Sequence, residues 1–136
     1  NLYINEHKMK IEEHKESFEE HRETIFRWAL EVKGLEKSQR IVGLHASRAI
    51  IDLLSIYLLS KGKISSGKQI NHRWFKSLKV TDKIPEFENK KGIISEIVEL
   101  ELLCEKLTYG SKRPESEIKK ALELFNELEI RVRGLK

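Results

Sequence analysis

The chain has 136 residues, of which 39% are hydrophobic and 35% charged, so it is one domain's length with enough apolar side chains for one packed core, and a disordered chain is excluded. Lysine and arginine exceed aspartate and glutamate by 26 to 22, a formal charge of +4. Two prolines and seven glycines leave too little turn punctuation for an all-β sandwich.

Residues 3–33 read as one long helix. Ile4, Ile11, Phe18, Ile25 and Val32 recur every seven residues, and His7, His14, His21 and Trp28 recur at the same interval. Together they form an a/d seam with three histidines in it. Gly34 is a stop signal. A second helix, 38–60, is apolar around most of its circumference, which marks it as the central one. Its polar stripe is His45, Arg48, Asp52 and Ser55. A loop of Gly, Ser and Lys follows, then a short helix over 69–78 and a loop holding Pro85. Residues 90–109 place Ile93, Ile97, Leu100, Cys104 and Leu107 on one face, and Pro114 opens a last helix over 115–133. No segment alternates with period two. The expectation is a single all-α domain over 1–136, an up-and-down four-helix bundle with an additional short helix. About 30 residues in the first helix reach roughly 45 Å, longer than the last helix. Its N-terminal turns then need a partner, and a homodimer contact through Ile4, His7, Ile11, His14 and Phe18 is expected.

Cys104 is the single cysteine, which excludes an internal disulfide framework and a cysteine-based zinc site. The first residues lack a secretory signal pattern, and the most apolar stretch, 49–59, is short for a bilayer and carries Asp52. A soluble, cytoplasmic protein with no membrane association is expected. Enrichment in Lys and Glu with few thermolabile residues is the pattern of a thermophilic source.

Gly62, Gly67 and Lys68 match the phosphate-loop spacing, but Gln69 stands where a Ser or Thr would hold magnesium, and a helix precedes where a strand is required. The charge distribution says more. No acidic residue lies between Asp52 and Asp82, while Lys61, Lys63, Lys68, Arg73, Lys76 and Lys79 do. Without these six, 20 basic residues face 22 acidic ones, so the net positive charge belongs to this interval. Lys63, Lys68, His72, Arg73 and Lys76 form a candidate surface for nucleotide or RNA, with Trp74 and Phe75 as stacking or core aromatics. Seam histidines seven apart stand about 10 Å from one another, too far for one helix to chelate a metal, and no metal or other cofactor is expected. The weak catalytic candidates are Arg40, His45, Arg48, Asp52 and His72: Arg48 and Asp52 are four apart and can pair, His72 can approach from the next element, and Arg40 and His45 form one Arg-x4-His spacing.

Helix 38–60 with its ending Leu58-Leu59-Ser60-Lys61-Gly62, the segment Lys68-Gln69-Ile70-Asn71-His72, the connector Ile84-Pro85-Glu86-Phe87, and Tyr109-Gly110 followed by 116–124 occur in an order that resembles HEPN domains. The likeness covers about residues 36–130. It implies a dimeric helical bundle that binds nucleotide or RNA, or a small nucleotidyltransferase-type partner protein. Ribonuclease members of that family, of toxin–antitoxin and defence type, carry Arg, four to six residues, then His late in the third long helix. This chain has no Arg between Arg73 and Arg113 and no His after His72, so the resemblance implies a non-catalytic relative. A metal-independent endoribonuclease and a purely structural dimeric module are the alternatives.

Overall fold

The computed structural model describes the backbone of residues 2–136 and the side chains of residues 11–136. Every regular element among the described residues is helical. Helix α1, Leu2–Glu23, runs on without a break into a π-helical segment, Thr24–Glu31. The Thr24 hydroxyl donates to the Glu20 carbonyl where the ladder changes step, and the Val32 amide then reaches back five residues to the Arg27 carbonyl. The wider turn rotates every later side chain relative to a seven-residue repeat. The expected seam therefore holds through Ile25, which is buried, and then breaks: Ala29 is buried in place of Trp28, which is 54% exposed, and Val32 is 67% exposed.

A 3-10 turn, Glu36–Ser38, leads into α2, Gln39–Ser60. This helix packs on all the other long helices and buries most of its circumference. The stretch 36–60 is long and apolar enough to cross a membrane by composition, but most of it is buried inside the bundle. At Gly43 an added Cβ would stand 2.8 Å from Leu107 Cβ and from the Thr108 amide nitrogen, so only glycine lets α2 and the third helix cross this closely. The α2 end uses Gly62 at φ 67°, a left-handed position that suits glycine.

The short helix expected over 69–78 does not form. Residues 69–71 are non-helical, and two 3-10 turns follow, His72–Lys76 and Leu78–Lys83. The Asn71 and Ser77 side chains accept from the amides of Arg73 and Lys79, each starting a turn, and the extended Ser77 breaks any continuous helix between them. Phe75 and Val80 anchor these turns in the core. Trp74 is partly buried beneath the Lys83 ammonium, 4.8 Å away.

Helices α3, Lys90–Tyr109, and α4, Glu115–Arg133, complete the bundle. His14 meets Asp52 and His21 meets His45, so α1 and α2 are antiparallel. Ser47 meets Glu101 and Val42 meets Cys104, so α2 and α3 are antiparallel as well. The Phe18 and Phe125 rings stack at 6.3 Å across α1 and α4. Phe18 is therefore core, 1% exposed, and is unavailable to a second copy of the chain. Ile11 packs partly against the same core and His14 bonds to Asp52, so these expected dimer contacts are turned inward too. Ile4 and His7, the remaining two, lie outside the described side chains.

Candidate functional site

His14 and His21 of the α1 seam share one cleft of about 810 Å³ with Arg48 and Asp52 of the α2 stripe. Helix α1 contributes His14 and His21, α2 forms the floor from Gly43 to Asp52, and the facing wall is residues 69–73, Lys76 and the second half of α3. The floor is about 13 Å long at 1.5 Å rise per residue.

Two histidine–carboxylate pairs stand in this cleft. On one wall, His14 Nδ1 lies 2.8 Å from Asp52 Oδ1, and His21 Nε2 lies 3.7 Å from Asp52 Oδ2. Behind His21, its Nδ1 is 2.8 Å from His45 Nδ1. On the other wall, His72 Nδ1 lies 3.0 and 3.1 Å from the two Glu101 carboxylate oxygens. The Ser47 hydroxyl donates to Glu101 at 2.7 Å. Asp52 is 9% and Glu101 4% exposed, and each gains partners that offset the cost of burying a carboxylate. In both pairs the carboxylate holds Nδ1 and leaves Nε2 for another partner.

Arg48 lies between Ser47 and Asp52 on the cleft floor. Among the described residues it makes no hydrogen bond or ion pair. The pairing with Asp52 expected from their spacing is absent because His14 and His21 take that carboxylate instead. A half-buried guanidinium without an anion, facing an open cleft, is a ready partner for a phosphate. Burial lowers the His21 pKa below its ordinary value against the opposing pull of Asp52, and Arg48 lowers it further. Burial also lowers His45, helped by His21 and Arg48. The Cys104 thiol lines the cleft, but burial pushes it up to about 12, so it is no nucleophile at neutral pH.

The structure brings Arg48, Asp52 and His72 together at the cleft, with Arg73 and Lys76 on its rim. His45 stands one layer behind, against His21. Arg40 lies outside: its guanidinium donates to the Thr108 carbonyl at 2.7 Å and caps α3. It is not paired with His45, so the Arg-x4-His spacing has no joint site. Lys63 donates to the Glu86 carbonyl away from the cleft, and Lys68 is exposed and does not line it. Sequence reasoning assigned His14 to a dimer contact, left His21 as a seam polar residue, and missed Ser47, Glu101 and Tyr109. The matching polar stripes of α1 and α2 carried a signal for the first two. Glu101 carried none, since nothing distinguishes it in sequence from Glu99 or Glu105. Among the described residues no group of three or more His, Cys, Asp or Glu side chains is placed to hold a metal ion.

Compared with family models, with curated proteins and with solved structures, the chain matches none.

Proposed function

We propose that the cleft binds RNA and cleaves its phosphodiester bond without a metal ion. The observation that carries this reading is the unpaired Arg48 guanidinium between two histidine–carboxylate pairs, spaced about 7 Å apart along α2 from Ser47 to Asp52. Transesterification of RNA requires a base to take the proton of the 2′-hydroxyl and an acid to protonate the departing 5′-oxygen. It also requires a cation where charge gathers on the phosphoryl oxygens. The 2′-oxygen bonds to phosphorus as the bond to the 5′-oxygen breaks, leaving a cyclic phosphate and a 5′-hydroxyl. His14 and His72 supply the neutral base and the protonated acid from opposite walls, and Arg48 neutralises the phosphate. Arg73 extends the positive surface along the strand, and beside it Lys76 is paired with Glu105 at 3.5 Å.

The resemblance to HEPN domains supports RNA as the ligand; it implies a non-catalytic relative, so the cleavage step rests on the geometry of the cleft alone. The Arg and His of that family's motif are absent from α3, and here the histidines come from α1 and from the turn before α3.

Incubation of the purified protein with a single-stranded RNA in the presence of a chelator tests the proposal. Cleavage is expected to persist without metal and to fall about 100-fold or more in His14→Ala, His72→Ala and Arg48→Ala. Binding that weakens as salt rises, with no cleavage, would leave a binding module. Undiminished cleavage in both histidine variants overturns the assignment.

A further inference from the structure

Tyr109 closes the cleft at the Gly43 end, and it is 80% exposed, the most exposed of the large apolar and aromatic side chains described. A single exposed aromatic is ordinary on a protein surface, but this one lines the mouth of the cleft that holds Arg48, where a bound ligand could cover its ring. Its backbone, by contrast, is held tightly. The Thr108 hydroxyl donates to the Cys104 carbonyl at 2.8 Å, and the Thr108 carbonyl accepts from Arg40. The Leu107 carbonyl accepts from Gln39, and the Gly110 amide donates to the Lys106 carbonyl at 2.9 Å. An added Cβ at Gly110 would stand 2.5 Å from that carbonyl, so the turn that presents the ring depends on glycine. A fixed backbone carrying an unpartnered aromatic ring is a preorganised platform.

We propose that Tyr109 is a base-stacking subsite, which makes single-stranded RNA with an unpaired base next to the bound phosphate the substrate class. The inference rests on the reading that Arg48 holds that phosphate. Arg48 lies about 7 Å along α2 from Gly43, which packs against Thr108, the residue before Tyr109, and a span of this order is one a nucleotide covers from phosphate to base. Every base has a π-face, so the platform selects for an unstacked base and not for a sequence. A paired base inside a duplex has both faces occupied and gains nothing from the ring.

The test is fluorescence anisotropy with a labelled, non-cleavable 2′-O-methyl RNA hexamer, a duplex of the same sequence, and inorganic pyrophosphate as competitor. Tyr109→Ala is expected to weaken single-strand binding about 5- to 100-fold, and Tyr109→Phe to retain it. The Tyr109→Ala loss should vanish with the duplex, and pyrophosphate, which has no base, should compete equally at wild type and variant. Unchanged single-strand affinity in Tyr109→Ala overturns the stacking subsite and leaves the phosphate site standing. Pyrophosphate binding that depends on Arg48, with no hexamer binding, also overturns the subsite alone. If neither ligand binds the wild-type protein, the phosphate reading falls and the subsite falls with it.

Discussion

His21 and His45 face each other through their Nδ1 atoms at 2.8 Å, across the boundary between α1 and α2. Such a contact holds one proton: one ring donates and the other accepts. Donation from His45 leaves His21 with its proton on Nε2, directed at Asp52, the tautomer that the charge of Asp52 favours. The contact cannot survive protonation of both rings.

This sets a pH dependence of stability. Both imidazoles have pKa values below the ordinary 6.5, burial being the first cause in each. The unfolded chain therefore binds more protons than the folded one below that value, and stability rises with pH there. The contribution is complete above about pH 6.5 and is lost as pH falls through the lower folded values. Thermal unfolding between pH 7 and pH 5 should show a falling midpoint, with a shallower slope in His45→Phe. An equal slope in that variant would show that the pair does not drive the dependence.

Arg48 acts on the same two rings from the cleft floor, lowering both pKa values. Replacing it by glutamine removes a nearby positive charge, so the His21 and His45 pKa values should rise toward the ordinary value. Imidazole proton resonances titrated by NMR would report this directly. Phosphate bound at Arg48 should shift them in the same upward direction in the wild-type protein. No shift in either experiment would place the guanidinium away from these rings and from the anion.

Gly43 is a point of close approach between α2 and α3. Alanine there gains about 1 kcal/mol of helix propensity but must push aside Leu107 Cβ and the Thr108 backbone, both within 2.8 Å of the new Cβ. Overpacking of this kind costs about 1–3 kcal/mol, and backbone neighbours place it at the upper end. A net loss of about 2 kcal/mol is expected in urea unfolding of Gly43→Ala. A gain in stability would show that the helices are free to part.

The amino-acid sequence by itself determined the four long helical segments and their ends, but not the two 3-10 turns between 72 and 83. Periods of 3.6 residues, an apolar α2, and glycines at 34, 62 and 110 are local features, and helix formation responds to local patterns. The basic interval between Asp52 and Asp82 was legible for the same reason. What the tertiary structure decided was which polar groups meet. The seven-residue histidine spacing fits a dimer seam and an intramolecular contact equally well, and only the antiparallel packing of α2 on α1 turned His14 and His21 toward Asp52 and His45. The π-helical turn at Thr24–Glu31 ended the seam, through hydrogen bonds that no residue pattern announces. Glu101 meets Ser47, 54 positions earlier, and its burial exists only because α3 folds back on α2. The spacing of Arg48 and Asp52 predicted an ion pair. The carboxylate went to two imidazoles from another helix instead, and that exchange left the guanidinium without an ion-pair partner among the described residues.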